Sequence, residues 1–395
     1  MLYLFEDHIL DPARRELRHK EAVVAVEPQV FDLLLYLIDN RHRVVSKDDL
    51  IASVWGGRIV SDSTLTSRIN AARRAIRDDG TQQRLIRTLA RKGVRFLGEV
   101  REVAEQPEAA APMSSAMPHQ EIRFCRSADG INLALACVGN GPPLVKTANW
   151  LTHLEYDWES PIWAPFLHRL ASHSRLIRYD SRGNGLSDRE VADISFAAFA
   201  RDLDAVVAAA GVERAALLGM SQGASIAIDY AVRHPERVSK LILLGGYPQG
   251  RNRRDSPEQQ EMARAFLSIM RHGWGDEHSA FMKAFSSVYL PNGSAEQIKW
   301  FVDLQRITTN ADIAARIRTA LDDIDVVDLL PKVRAPTLVL HCRHDNVVPV
   351  EQGRLLAASI PQARFVTLES ENHIVLQGEP AWTRLTDEIE RFLGE

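Results

Sequence analysis

The residue types of a nucleophilic active site occur in the second half of this sequence. Ser221 stands at the centre of a G-x-S-x-G pattern, residues 219–223, between the apolar run 215–218 and a helical pattern that begins at Ala224. The two glycines permit the strained strand-to-helix turn that exposes a serine hydroxyl. Because that hydroxyl is a poor nucleophile at neutral pH, it needs a base within hydrogen-bond reach and donors for the oxyanion.

Candidates for the base, and for the acid that orients it, follow two later predicted strands. Asp345 comes after the run 337–341, and His373 comes after the run 363–368. We predict that His373 accepts the Ser221 proton and that Asp345 holds the imidazole in the required tautomer. The alternative is structural, with Asp345 as a turn residue and His373 as a surface histidine satisfied by local partners.

The chain order Ser, Asp, His and the loop 179–187 (Y-D-S-R-G-N-G-L-S) resemble the lidded, haloperoxidase- and esterase-like form of the α/β-hydrolase fold. The resemblance covers residues 121–395 and implies an oxyanion hole made by the backbone amides of Trp150 and Gln222. Ala148-Asn149 stands where that family usually has His-Gly. Since loss of one oxyanion donor costs about 10²- to 10³-fold in rate, we expect slow ester turnover.

Strands alternate with helices around these residues, which predicts a doubly wound α/β fold with a mostly parallel sheet. The predicted strands are 121–126, 131–138, 143–147, 175–179, 215–219, 238–244, 336–341 and 363–368. The polar interval 248–330 has aromatic residues at helical spacings and is predicted to be a helical lid. The lid and four residues are predicted to form a pocket for a small, partly apolar ester, lactone or thioester. Those residues are Asn149, Trp150, Met220 and Tyr247.

The first hundred residues have the pattern of a small α+β domain that binds duplex DNA. Short alternating segments over 2–26 precede helical patterns that begin near Pro28, Ser46 and Ser61, and a hairpin with a basic tip follows over 84–97. The segment 63–100 contains nine basic and three acidic residues, as expected of a surface that meets a polyanion.

Residues that could contact DNA lie on the third helix and on the hairpin tip. With Leu65, Ile69, Ala72 and Ile76 facing inward, the third helix exposes small polar and basic side chains that suit a major groove. The predicted contacts are Ser63, Thr66, Ser67, Asn70, Arg73, Arg74 and Arg77 on the helix, with Arg91 and Lys92 on the tip. The alternative is that the arginines form a merely solvated helix face.

Several segments in order resemble the OmpR/PhoB-type winged helix-turn-helix. They are 44–50 (V-V-S-K-D-D-L), 54–56 (V-W-G), 62–65 (D-S-T-L), 86–88 (I-R-T) and 93–96 (G-V-R-F). Val94 replaces the usual aromatic residue. The resemblance covers residues 2–97 and implies a third helix in the major groove, a wing at the minor groove and binding as a homodimer. Because no receiver domain precedes the module in this sequence, we expect the signal to come through the C-terminal domain.

The chain is therefore predicted to be multidomain, with a winged helix over 1–100, a linker over 101–119 and a hydrolase domain over 120–395. Three cysteines, no signal-peptide pattern and no apolar run of about 18 residues predict a cytoplasmic protein without a membrane span. No cofactor or metal is predicted, because His153, His341 and His344 match no compact ligand spacing.

Two functions remain open at this point. One is a DNA-binding transcriptional regulator whose hydrolase domain senses a small molecule. The other is a serine hydrolase of the esterase type with an accessory DNA-binding domain.

Overall fold

A computed structural model describes residues 2–12, 15–20, 22–24, 26–55, 62–78, 82–89, 92–103, 120–254, 256–275 and 279–395. The chain divides into two compact units, residues 1–115 and 116–395. Most of the predicted linker lies outside the described residues. Its first three residues, Arg101–Val103, form a strand that pairs with the first strand of the chain. The N-terminal unit therefore continues past the predicted boundary at Val100.

The N-terminal unit is an α+β winged helix. Its elements are β1 (Leu2–Phe5), β2 (His8–Asp11), β3 (Glu16–His19), β4 (Ala22–Val24), α1 (Pro28–Asp39), α2 (Lys47–Trp55), α3 (Asp62–Ala75), β5 (Ile86–Leu89), β6 (Gly93–Phe96) and β7 (Arg101–Val103). Five strands form an antiparallel sheet in the order β4-β3-β2-β1-β7, and β5 and β6 form a separate hairpin.

Local sequence signals account for the helix starts of this unit. Pro28 occupies the first turn of α1, where its missing N–H is harmless. A reciprocal cap precedes α2, because the Asp49 N–H donates to Ser46 Oγ (3.0 Å) and the Ser46 N–H donates to Asp49 Oδ2 (3.2 Å). Val45 pairs with Val94, which fixes the wing hairpin against the chain that enters α2.

The C-terminal unit is an α/β-hydrolase fold with a helical cap. Its strands are β8 (Glu121–Arg126), β9 (Asn132–Val138), β10 (Pro143–Lys146), β11 (Arg175–Tyr179), β12 (Ala215–Met220), β13 (Val238–Leu244), β14 (Thr337–Cys342) and β15 (Arg364–Leu368). Its helices are α4 (Leu154–Trp158), α5 (Ala164–His173), α6 (Phe196–Ala209), α7 (Gly223–Arg233), α8 (Pro257–Gly273), α9 (Ala280–Tyr289), α10 (Ala295–Thr308), α11 (Ala311–Asp322), α12 (Val350–Ser359) and α13 (Pro380–Gly394).

The eight strands form one sheet in the order β15-β14-β13-β12-β10-β11-β9-β8. The six strands from β15 to β11 run parallel, and β9 and β8 continue the sheet antiparallel. Every residue of β12 and β14 is buried, as expected of parallel strands with helices on both faces. The strand order places the carboxyl ends of β10, β12, β14 and β15 along one edge, and the loops that leave this edge hold the site described below.

The cap consists of α8 to α11 and is inserted between β13 and β14, within the interval predicted to be a lid. A buried ion-pair network supports the loop after β11. Arg182 is fully buried and binds Asp202 through Nε (2.9 Å) and Nη2 (2.6 Å), and it binds Asp129 through Nη1 (2.7 Å). This network joins the loop to α6 and to the turn between β8 and β9.

Candidate functional site

The turn from β12 into α7 presents Ser221 in a strained backbone conformation. Ser221 has φ of 52°, and its N–H donates to the Leu244 carbonyl at 3.0 Å. A Cβ on Gly219 would lie 2.5 Å from the Ala224 Cα, and one on Gly223 would lie 2.5 Å from Thr147 Oγ1. Only glycine fits these two positions, so the G-x-S-x-G pattern follows from backbone packing as well as from the turn.

Asp345 and His373 form a buried acid–histidine pair. His373 Nδ1 lies 2.6 Å from Asp345 Oδ2, and Asp345 Oδ1 accepts from the N–H groups of Val347 (2.8 Å) and Val348 (2.9 Å). Burial opposes ionisation of Asp345, but the charge and hydrogen bond of His373 and the Val348 amide outweigh it and lower the pKa of that carboxyl. Since an ionised carboxylate only accepts, the proton belongs on Nδ1, and Nε2 is left as the base.

Ser221 and His373 line one cavity at the carboxyl edge of the sheet. Its other lining residues are Asn149, Trp150, Leu151, Trp163, Met220, Leu244, Tyr289, Phe301 and Ile374. A second cavity at Ser221 includes Trp150, Gln222 and Tyr247. The fold therefore brings the residues predicted for catalysis, for the oxyanion hole or for ligand contact to these two adjoining cavities, except Asp345, which lies behind His373 and contacts it. The free volume of each is about 10 Å³, which leaves room for about one water.

The loop after β10, which contains Asn149 and Trp150, is contacted by a lysine that was not among the predicted site residues. Lys146 is buried at the end of β10 and donates to Asn149 Oδ1, and its ammonium lies 5.4 Å from the centre of the Trp163 ring. Burial lowers the pKa of Lys146 to about 8. The sequence feature that could have identified Lys146 is a charged residue at the end of an otherwise apolar strand. Lys146 thus orients the residue that replaces the family's glycine.

The cap directly contacts the loop that carries His373. The His373 N–H donates to the Tyr289 carbonyl at the end of α9 (2.9 Å), and the two rings meet edge to face with centres 5.5 Å apart. The Asn292 N–H donates to Asn372 Oδ1 at 3.0 Å. The end of α9 and the residues that follow it are therefore in direct contact with the loop that carries His373.

Helix α3 presents a polar face beside the wing hairpin. Thr66, Ser67, Asn70 and Arg74 are exposed on α3, and Lys92 is exposed on the wing. The predicted contact Arg91 lies outside the described residues, as does the side chain of Ser63. Arg77 is exposed but lies beyond the end of α3, in a left-handed conformation with φ of 55°.

Arg73 does not lie on the exposed face of α3, where the prediction placed it as a DNA contact. Arg73 is only 5% exposed, and its guanidinium donates to the Ile86 carbonyl (3.1 and 3.0 Å) and to Thr88 Oγ1 (2.8 Å) on β5. It also donates to Asn70 Oδ1 at 3.1 Å. The helical period placed Arg73 on the polar face, but the wing hairpin covers that part of the face. Arg73 therefore braces α3 against β5.

The other histidines noted in the sequence have local roles or lie at the surface. His153 caps α4 by accepting from the Tyr156 N–H, the buried His341 ring bonds the Val348 carbonyl, and His344 is exposed. Within the described ranges, no group of three or more His, Cys, Asp or Glu side chains could hold a metal ion. Nor does any helix in the described part of the chain combine the length and the apolar character needed to cross a membrane.

Family models match a part of each unit. A family model described as "alpha/beta hydrolase fold" matches residues 151–380, and one described as "Transcriptional regulatory protein, C terminal" matches residues 20–96. The AB hydrolase superfamily protein YisY of Bacillus subtilis (strain 168) is 27% identical over 264 residues, which is 63% of this chain and 91% of that protein.

Solved structures also resemble the C-terminal unit. An esterase from Exiguobacterium antarcticum aligns with a TM-score of 0.58 at 23% identity, over 69% of this chain and 99% of the esterase. The esterase RhEst1 from Rhodococcus sp. ECU1013 aligns with a TM-score of 0.53 at 27% identity, over 69% of this chain and 98% of that chain. At these identities the likeness concerns the hydrolase fold and leaves the substrate open.

Proposed function

Because this chain belongs to the α/β-hydrolase family and also contains a regulatory DNA-binding domain, we propose that it is a cytosolic one-component transcriptional regulator. In this proposal the hydrolase domain binds, and slowly hydrolyses, a small ester, lactone or thioester. The observation that carries the proposal is the Asp345–His373 hydrogen bond of 2.6 Å in a cavity with Ser221, on the same chain as the winged helix.

The proposed chemistry is acyl transfer to Ser221. The Ser221 oxygen attacks the carbonyl carbon while His373 Nε2 takes the hydroxyl proton, and Asp345 stabilises the imidazolium. Collapse of the tetrahedral intermediate breaks the bond to the leaving oxygen or sulfur, which takes the proton from His373. A water molecule then attacks the acyl-enzyme by the same route, releases the acid and restores the Ser221 hydroxyl.

The proposed oxyanion donors are the backbone N–H groups of Trp150 and Gln222. Among the described residues neither group donates to a backbone carbonyl, so both are open to a substrate oxygen. Asn149 in place of the usual glycine removes backbone freedom from this loop. Slow turnover is the expected consequence and suits a sensor, since the ligand then stays bound long enough to affect DNA binding.

The proposed DNA contacts are made by α3 and by the wing. Thr66, Ser67, Asn70 and Arg74 would face base edges or phosphates in the major groove, and Lys92 would meet the adjacent backbone. A single winged helix buries little surface, so we propose a homodimer on paired half-sites.

Three measurements test this function. A fluorophosphonate probe should label Ser221, and His373→Ala should abolish labelling because the base is gone. Gel shifts on genomic fragments should give salt-sensitive binding by wild type and by Ser221→Ala alike. Light scattering should find two chains on the best duplex, and a strict one-to-one complex would contradict the dimer. Absence of salt-sensitive DNA binding by the folded protein would overturn the regulator.

One observation favours the second candidate function, a serine hydrolase with an accessory DNA-binding domain. Both oxygens of Asp345 are engaged as a working triad requires, and Ser221 retains the strained φ of 52°. Turnover of p-nitrophenyl esters discriminates the two functions. A turnover number of about 10 s⁻¹, typical of enzymes, would favour the hydrolase. A ligand response that survives Ser221→Ala would favour the regulator.

A further inference from the structure

A buried lysine contacts the loop that carries a proposed oxyanion donor. Lys146 ends β10 and is only 5% exposed, and its ammonium donates to Asn149 Oδ1 and lies 5.4 Å from the centre of the Trp163 ring. Lysine is almost never buried to this degree without a specific partner. Asn149 is such a partner, and it lines the cavity that contains Ser221 and His373.

The same loop is anchored at two further places. The Thr147 N–H donates to the Leu218 carbonyl on β12 (3.0 Å), and Thr147 Oγ1 donates to the Gly223 carbonyl at the start of α7 (2.9 Å). The Trp150 indole N–H donates to Gln305 Oε1 on α10 (3.5 Å). The loop is thus held at its start by the turn from β12 into α7 and at the Trp150 ring by the cap.

The direction of the Trp150 N–H depends on the residue between these two anchors. That N–H belongs to the peptide plane between Asn149 and Trp150, and the soft dihedrals that rotate the plane are ψ of Asn149 and φ of Trp150. Asn149 has a side chain that can be held in place, which a glycine lacks. When Lys146 holds that side chain and the cap holds the Trp150 ring, the peptide between them has little freedom to turn.

The hydrogen bond from Lys146 to Asn149 is strongest while the lysine is charged, because an ionised donor makes a bond roughly twice as strong as a neutral one. Burial lowers the pKa of Lys146 to about 8. Asp157 on α4 opposes this effect, Arg178 on β11 adds to it, and Asp180 after β11 opposes it. Burial raises the pKa of Asp157 to about 6 and that of Asp180 to about 7, so both carboxyls ionise below the pKa of the lysine.

We propose that Lys146 is a positioning residue for the proposed acyl transfer: its ammonium holds Asn149, and the loop so fixed points the Trp150 N–H at the substrate oxygen. This inference rests on the proposed function, since it takes Ser221 as the nucleophile and Trp150 as an oxyanion donor. It makes the reaction rate depend on a residue that lines neither cavity at Ser221.

The first test measures hydrolysis of p-nitrophenyl acetate by full-length variants. Lys146→Met should lower kcat by about 10- to 100-fold and change KM by less than about threefold, because the oxyanion donor is displaced and substrate binding is retained. Lys240→Met is the matched control. Lys240 lies on β13, donates to the carbonyls of Phe392 (2.7 Å) and Leu393 (2.8 Å), and lies 5.7 Å from the Phe392 ring. The control should have the kcat of wild type.

A double-mutant cycle shows whether Lys146 acts through Asn149. Asn149→Ala removes the acceptor, so adding Lys146→Met to that variant should cost no more than about twofold in kcat. Costs that multiply, or a kcat of Lys146→Met equal to that of wild type, would overturn the inference.

The pH profile tests the same contact in a protein that keeps the lysine. The kcat of wild type, corrected for the rate with Ser221→Ala, should fall above pH about 8 as Lys146 loses its proton. This fall should be absent in Asn149→Ala, in which the lysine has no side-chain oxygen to hold. An alkaline fall that persists unchanged in Asn149→Ala would overturn the inference, whether or not Lys146→Met folds.

Crystal structures keep this test separate from the proposed chemistry. In Lys146→Met the peptide between Asn149 and Trp150 should be turned so that its N–H no longer converges with that of Gln222, whereas Lys240→Met should match wild type. An unchanged peptide in Lys146→Met would overturn the inference even if Ser221 is active. A turned peptide without fluorophosphonate labelling of wild type would uphold the placement of the loop by Lys146 and overturn only the proposed catalysis.

Discussion

Asp345 uses its two carboxylate oxygens for different tasks. Oδ1 accepts two backbone N–H groups of its own turn, and Oδ2 lies 2.6 Å from His373 Nδ1. In the Asp345→Asn variant, the amide oxygen can still accept the two backbone N–H groups of the turn. The amide nitrogen then faces His373 Nδ1 and can only donate a hydrogen bond to it. The imidazole then takes the other tautomer, with a proton on Nε2, and the base is lost.

We therefore expect Asp345→Asn to slow fluorophosphonate labelling and ester hydrolysis by about 10³- to 10⁴-fold. Thermal unfolding should stay close to that of wild type, because the turn is retained. The exposed neighbour His344 supplies the control, and His344→Ala should label at the wild-type rate. A fall of less than about 10-fold in Asp345→Asn would mean that Asp345 does not orient the base.

Asp180 illustrates how burial creates a pH dependence. It is fully buried after β11, and its Oδ2 accepts from the N–H groups of Leu154 (3.2 Å) and Leu186 (2.9 Å). Burial, with a smaller contribution from the nearby Asp157, raises the pKa of Asp180 to about 7. Burial likewise raises the pKa of Asp157 to about 6.

The sign of the resulting effect follows from proton binding. Between pH about 4 and about 7 the folded protein holds the Asp180 proton and the unfolded chain has lost it, so the free energy of unfolding falls as pH rises. Asp180→Asn can retain both amide bonds through its oxygen and has no proton to lose. Urea unfolding from pH 4.5 to 7.5 should show the variant gaining stability relative to wild type as pH rises. Parallel profiles would contradict the assignment.

At the scale of elements, the wing hairpin and α3 are joined by a buried arginine. Arg73 reaches Ile86 and Thr88 on β5, so its removal leaves a buried carbonyl unpaired. Arg74 is its neighbour on the same helix and is exposed. Substitutions at these two neighbouring positions therefore distinguish a residue that supports the fold from a residue that is proposed to contact DNA.

We expect Arg73→Ala to destabilise the N-terminal domain by about 2–4 kcal/mol, from lost hydrogen bonds and an unsatisfied acceptor. Arg74→Ala should change stability by no more than about 0.5 kcal/mol and weaken DNA binding by about 1–3 kcal/mol. Calorimetry and gel shifts on the full-length variants measure both quantities. Equal stability of the two variants would contradict the conclusion that Arg73 braces α3 against β5.

The cap and the loop that carries His373 are in direct contact. The Tyr289 carbonyl accepts the His373 N–H, and the cavity at Ser221 has about 10 Å³ of free volume. The proposed function requires more space than this for an ester, so we expect the cap to move when the ester binds.

At the scale of the whole molecule, the proposed regulator requires that the state of Ser221 alter DNA affinity. A fluorophosphonate adduct on Ser221 stands in for the acyl-enzyme and fills the cavity. The adduct should change the affinity for the best genomic site by about 5- to 150-fold, the usual range of coupling between two sites. Ser221→Ala treated with the same reagent is the control and should bind DNA as before. Equal affinities of labelled and unlabelled wild type would leave the two domains uncoupled.

Local patterns in the sequence were sufficient for the order of the elements and for the strands after which Ser221, Asp345 and His373 lie. All eight predicted strands of the C-terminal unit match observed strands within one residue at each end. The Ser46 cap, the apolar run of β12 and the glycines at 219 and 223 are properties of residues close together in the chain. Such short-range constraints do not depend on the rest of the fold, so they can be predicted from the sequence alone.

Long-range packing decided the surroundings of individual charged residues. The helical period placed Arg73 on a polar face of α3. The hairpin that covers this part of the face lies further along the chain, and Ile86, which accepts from Arg73, is 13 residues after it. The cap brings Arg251 and Arg318, far apart in sequence, to one cavity beside Ser221, and β10 places Lys146 beneath Asn149. The sequence by itself determined which residue types stand at the ends of which strands. Only the tertiary structure decided which charges are buried together, because burial and charge pairing depend on elements that meet through folding and not through adjacency.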